Sequence, residues 1–166
     1  MSSAVLSVGS NVGDRVGYLR ACVAELGGAV WAVSGVYETA PWGGVAQGEF
    51  LNAIVLVDDP DADALEWLRR GQRCEAAAGR TREHRWGPRT LDVDVIDVEQ
   101  IRRDDPRLTL PHPRAHERAF VLVPWLDVAP DAVLAGYGRV ATLVAALPTA
   151  QRRTVRRCDD LTLRLR

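Results

Sequence analysis

The chain has 166 residues, 47% of them apolar, which is one domain's worth of chain and enough for a single core. Its 22 acidic and 21 basic residues leave a formal net charge of −1, which counts against a protein built to coat nucleic acid or acidic lipid. All 21 bases are arginine, so a Schiff-base lysine and a P-loop lysine are both excluded, and phosphate must be met by arginine, metal or backbone amides.

Ala4 to Gly9 is a short apolar run closed by Gly9-Ser10-Asn11, and it reads as a buried strand. From Asp14, Val16, Leu19, Val23 and Leu26 recur at helical spacing, with Gly27-Gly28 as the stop. Val30 to Tyr37 and Phe50 to Val57 are β-branched or aromatic runs separated by a Gly- and Pro-containing loop, Glu38 to Glu49. Asp58-Asp59-Pro60-Asp61 is expected to open a helix that ends at Gly79. Leu91 to Val98 is a further strand. Arg107 to Arg118 reads as a Pro-interrupted loop, and Val121 to Val128 and Val140 to Leu147 as short helices. In the arginine-rich tail, Leu161, Leu163 and Leu165 alternate as in an edge strand. The expected fold is therefore α+β: a ferredoxin-like βαββαβ sheet with helices on one or both faces and C-terminal additions, in a single domain spanning residues 1–166.

Cys22, Cys74 and Cys158 lie far apart, form no C-x-x-C and sit near none of His84, His112 and His116, so reduced thiols are expected rather than zinc or disulfides. The N-terminus lacks the pattern of a signal peptide, and no apolar run approaches the roughly 18 residues of a membrane span. The expectation is a cytoplasmic protein, a monomer or small oligomer, with no membrane and no nucleic-acid partner. Trp31, Trp67 and Trp125 are read as core residues.

Chemistry concentrates between Gln72 and Asp94. Arg80, Arg82, Arg85 and Arg89 make the first half positive, and Asp92, Asp94 and Asp97 make the second half negative. Such alternation can be plain surface ion pairing, which is worth little. On a strand, however, Asp92 and Asp94 point to one face, roughly 6 to 7 Å apart, while Leu91, Val93 and Val95 face the other way. Two hard carboxylates beside an arginine-rich loop suit Mg²⁺ held jointly with nucleotide phosphates.

Arg85-Trp86-Gly87-Pro88-Arg89-Thr90-Leu91-Asp92-Val93-Asp94 resembles the signature of the 6-hydroxymethyl-7,8-dihydropterin pyrophosphokinase family. Gly9-Ser10-Asn11, Tyr37 to Pro41, Phe50-Leu51-Asn52-Ala53, Leu110 to Arg114 and Arg118 to Leu122 fall in that family's order. The resemblance implies transfer of the β,γ-diphosphate of ATP to the hydroxymethyl oxygen of the pterin, leaving AMP, a step of tetrahydrofolate biosynthesis. It implies that Asp92 and Asp94 hold two Mg²⁺ ions, and that Arg80 and Arg89 join them in catalysis. Gln72, Glu75, Arg80, Arg82, Trp86, Arg89, Val95, Arg107, Thr109, His112 and Arg118 would form the ATP side. The pterin would lie between Phe50 and Phe120 with Asn52 at its edge, bordered by Thr39, Ala40, Trp42 and Asp92. The Gly79 to Gly87 stretch is a candidate lid. No dedicated base stands out; if any side chain accepts the hydroxyl proton, it is Asp94. Two other readings remain open on the residues alone: another Mg²⁺-dependent nucleotidyl or phosphoryl transferase on a ferredoxin-like sheet, and an RNA-binding module on the same fold. Against the second, the first strand carries no aromatic residue for stacking bases.

Overall fold

A computed structural model of the chain describes residues 2–39, 48–79 and 90–164. Strand β1 (Ser2–Ser10) is the spine, pairing antiparallel with β4 (Phe50–Asp59) on one side and with β5 (Asp92–Val98) on the other. Two short strands, β2 (Val30–Val33) and β3 (Tyr37–Thr39), take successive stretches of the far edge of β4. A last strand, β8 (Val155–Arg157), adds to β3, so the sheet runs β5-β1-β4-β3-β8 with β2 also on β4. Taking β2 and β3 as one broken strand gives the antiparallel ferredoxin-like order that the element pattern predicts.

Helices cover both faces. Helix α1 (Arg15–Leu26) is capped by Asp14, whose carboxylate accepts from Gly17 N at 3.1 Å, and ends at Gly27 with φ 58°. Helix α2 (Ala64–Ala77) is capped by Asp63, which accepts from Glu66 N at 2.7 Å. Leu6, Val8, Leu19, Leu51, Val55, Trp67, Val93 and Val95 fill the layer beneath these two. On the opposite face α3 (Ala119–Val128) and α4 (Val140–Ala146) pack with Ile54, Leu56, Ile96, Leu122, Trp125 and Leu134. A small hairpin of β6 (Val133–Leu134) and β7 (Gly138–Arg139) and a short α5 (Thr149–Arg153) complete that layer. Side chains alternate between the two cores along every central strand.

Several expectations shift. The run Val30 to Tyr37 is not one strand, because Ser34 to Val36 interrupt it; there Ser34 N bonds Ile54 O and Ser34 Oγ accepts from Ile54 N instead. Strand β4 extends to Asp59, and the second helix begins at the Asp63 cap rather than at Asp58. In the tail the strand is Val155–Arg157; Leu161 and Leu163 are not in a strand, and Leu165 lies outside the described residues. Trp67 and Trp125 are core, but Trp31 is 58% exposed on β2, where one-face burial of an edge strand turns it outward. No helix among the described residues is long and apolar enough to cross a membrane.

Candidate active site

The antiparallel register assembles the site on the sheet face that carries α3. Asp92, Gly9, Asn52 and Tyr37 stand opposite one another across four strands, and Asp94 and Ser7 stand in the next row. Phe50 pairs with Thr39 at the end of the β3–β4 ladder, two residues along from Asn52 and on the same face. Asp92, Asp94 and Phe50 are half-buried, whereas Asn52 and Thr39 are buried. The Asn52 amide donates from Nδ2 to Thr39 Oγ1 at 2.7 Å. A Cβ on Gly9 would stand 2.6 Å from Asn52 Oδ1, so only glycine leaves the amide where it is.

The edge strand that carries the two aspartates is held from the helix side. Gly71 lets α2 close onto β5, since a Cβ there would lie 2.9 Å from Val93 Cγ1. One turn later Glu75, buried, accepts the Val93 N–H at Oε2, 3.1 Å away, between Asp92 and Asp94. Gln72 and Glu75 therefore live in different surroundings, the first exposed and the second buried against β5. Val95 points its side chain into the core under α1 and α2, away from the aspartates.

The loop after β5 folds back on itself through the paired Arg103 and Leu110 and returns to β5 through His112 N, which bonds Ile96 O at 2.9 Å. In that loop Asp105 gathers Arg107, at 3.0 Å from Nη2, and its carbonyl accepts from Thr109 Oγ1 at 3.4 Å. Burial, together with the nearby Arg118, pushes the His112 pKa down to about 4 despite Asp92. The ring is thus neutral at pH 7. Its Nδ1 accepts from Arg114 N at 3.2 Å, which leaves Nε2 as the donor.

Arg118 precedes α3 and lies with its guanidinium 5.4 Å from the Phe120 ring centroid. It is 9% exposed, and among the described residues its Nε has no hydrogen-bond partner. Burial lowers its pKa, while Asp94 and Asp92 hold it up. A buried guanidinium with donor capacity to spare, beside two aspartates, suits an incoming oxyanion. Asp92 and Asp94 fit Mg²⁺ by the same chemistry, being hard oxygen donors on one half-open face that leave coordination positions for phosphate and water. Among the described residues no cluster of three or more His, Cys, Asp or Glu could by itself hold a metal.

Ala40, Trp42, Arg80, Arg82, Trp86 and Arg89 lie outside the described residues. Of the remaining predicted residues, Asp92, Asp94, Asn52, Thr39, Phe50, His112, Arg118 and Phe120 belong to the α3 face of the sheet or to the segment leading into α3. Glu75 and Val95 do not present side chains there. Sequence reading missed Gly71 and the close approach of Gly9 to Asn52. Only a glycine recurring where helix and strand cross would have pointed to the first.

Two half-buried carboxylates on the sheet face that carries the Asn52 amide, with the buried Arg118 guanidinium that both aspartates help keep charged, are equipment suited to a transferase that handles a phosphate donor. Residues 5–130 match the family described as 7,8-dihydro-6-hydroxymethylpterin-pyrophosphokinase (HPPK). The chain is 52% identical over 168 residues to the 2-amino-4-hydroxy-6-hydroxymethyldihydropteridine pyrophosphokinase of Mycobacterium tuberculosis, covering 94% of this chain and 89% of that protein. The enzyme of the same name from Bacillus subtilis is 42% identical over 129 residues, 75% of this chain and 77% of that protein. Among solved structures, wild-type Plasmodium falciparum HPPK-DHPS with pteroate shares the fold at TM-score 0.67 and 13% identity. That match covers 87% of this chain and 44% of the longer Plasmodium chain. The chain belongs to the 7,8-dihydro-6-hydroxymethylpterin-pyrophosphokinase family.

Proposed function

We propose that the chain transfers the β,γ-diphosphate of ATP to the hydroxymethyl group of 6-hydroxymethyl-7,8-dihydropterin, giving the pterin diphosphate and AMP in tetrahydrofolate biosynthesis. The observation that carries this reading is the single sheet face on which Asp92, Asp94, Asn52 and Phe50 are brought into register. Asn52 offers a donor and an acceptor to the pterin edge, and Phe50 and Phe120 its ring faces. Arg118 and neutral His112 donate to phosphate oxygens or to the nucleotide. Arg107 and Thr109, in the turn gathered by Asp105, are assigned to the nucleotide side by family likeness. Arg80, Arg82 and Arg89, together with Trp86, complete that side by family likeness, as Ala40 and Trp42 complete the pterin side.

Asp92 and Asp94 would hold two Mg²⁺ ions. When bound, the ions neutralise triphosphate charge and acidify the attacking hydroxyl. Asp94 is the side chain that would take the hydroxyl proton, and the aspartates with Arg118 would keep acceptor and donor aligned, which is most of what phosphoryl-type transfer asks of a protein. We also infer that residues 1–166 act as one domain, as a monomer, in the cytoplasm and without nucleic acid; the shared sheet and three free cysteines support this.

Radiolabelled ATP, with and without the pterin and Mg²⁺, tests the reaction. AMP is expected only when all three are present. ADP, or pyrophosphate with a nucleotidylated product, would identify a different transferase.

A further inference from the structure

The arginine-rich tail lies beyond residues 5–130, the stretch that matches the family. On β8, Arg156 stands opposite Glu38 of β3. Its Nη2 reaches Glu38 Oε1 at 2.7 Å and Glu49 Oε2 at 3.2 Å. These glutamates directly precede Thr39 and Phe50, the register pair at the pterin end of the β3–β4 ladder. From the other side Arg15, in the first turn of α1, reaches Glu38 Oε2 at 3.3 Å and Glu49 O at 2.9 Å. Asn11 donates to Gly48 O at 3.3 Å. The residues entering Phe50 are thus tied to two separate parts of the chain, the segment from β1 into α1 and the tail.

Exposed ion pairs by themselves contribute little, and the Arg156 side chain is 64% exposed. Here the arginine also separates like charges. Because one guanidinium nitrogen reaches both, the Glu38 and Glu49 carboxylates are held side by side, and each feels the other: Glu38 is held down and Glu49 is pushed up. Without Arg156, two carboxylates meet across the end of a three-residue ladder with, among the described residues, only Arg15 beside them, and repulsion there splays the strands.

We propose that Arg156 is a positioning residue for the pterin slot, bridging Glu38 and Glu49 so that Thr39 and Phe50 keep their spacing on the opposite face of the sheet. The inference rests on the pterin reading given above. Thr39 in turn receives the Asn52 amide, so the clasp governs both the stacking ring and the edge-reading amide.

The test is calorimetric titration of pterin into the protein saturated with Mg²⁺ and a non-hydrolysable ATP analogue, with a separate titration of the analogue. Arg156→Ala is expected to raise the pterin Kd about fivefold to tenfold and to leave the analogue Kd within twofold. Adding Glu49→Gln to that variant removes the repulsion and is expected to bring the pterin Kd back to within about twofold of the wild type. A merely structural arginine would not be rescued by removing a second charge. An unchanged pterin Kd in Arg156→Ala, a parallel loss of both ligands, or failure of the second substitution to rescue would overturn the proposal. Phe50→Ala separates the two levels. If it leaves pterin binding intact, the pterin reading falls and this inference with it; if it weakens binding while Arg156→Ala does not, only the inference falls.

Discussion

Asp92 and Asp94 owe their shared orientation to strand alternation alone, and so their roles are separable by single atoms. Asp92→Asn and Asp94→Asn keep shape and remove charge. Each is expected to lower kcat about 10²–10³-fold, the equivalent of roughly 3–4 kcal/mol of lost charge stabilisation, with the thermal midpoint little changed. Steady-state assays across Mg²⁺ concentration check this, and near-normal turnover in either variant would remove that carboxylate from the mechanism. Gly9 acts through Asn52. In Gly9→Ala the new methyl would lie 2.6 Å from Asn52 Oδ1, so the amide must move. The pterin KM is expected to rise about tenfold, the cost of about one hydrogen bond, with the ATP KM unchanged. Equal loss for both substrates would mean a general collapse of the β1–β4 ladder instead.

At the scale of elements, α2 has two separate duties. Its buried side fixes β5: Glu75→Ala strands the Val93 N–H and is expected to cost about 1–3 kcal/mol in urea unfolding, while Glu75→Gln, which retains an acceptor, costs less. Its outer side carries Glu66, which meets Arg70 at 3.0 Å, Arg69 at 3.1 Å and Arg73 at 3.3 Å. Those arginines, Arg70 foremost, lower the Glu66 pKa from its ordinary 4.5 to about 2. The unfolded chain therefore takes up the proton first, so the contribution of Glu66 is complete above about pH 4.5 and is lost as pH falls through about 2. Glu66→Gln is expected to flatten the fall in unfolding midpoint between pH 5 and pH 2.5, and an unchanged acid limb would show that solvent screens the cluster completely.

Across the molecule, the main sheet separates the core under α1 and α2 from the α3 face that holds the site, and Trp67 is the largest fully buried side chain of the first. It is fully buried, its Nε1 donates to Ser2 Oγ at 2.8 Å, and Arg70 lies 4.8 Å from its ring centroid. Trp67→Ala is expected to cost about 3–5 kcal/mol, read as a lower denaturant midpoint, because α1, α2 and β1 cannot all collapse into the space.

Local periodicity was enough for the element order, the two-sided alternation of β5 and the cap at Asp14, since each depends on neighbours within a few residues. Recognition of the family likewise rested on ordered short motifs. The break at Ser34, the outward turn of Trp31, the late start of α2 and the strand at Val155 were not legible in that way, because each depends on which strand edge is already occupied. The same holds at the site. The sequence by itself determined that Asp92 and Asp94 share a face and that every fixed positive charge offered to phosphate is a guanidinium, there being no lysine. Only the tertiary structure decided that Glu75 serves the Val93 backbone, that Gly9 makes room for Asn52, and that Arg156 of the tail joins Glu38 to Glu49. Those pairings are set by sheet register and helix–strand approach between residues up to 118 positions apart, and no local pattern encodes them.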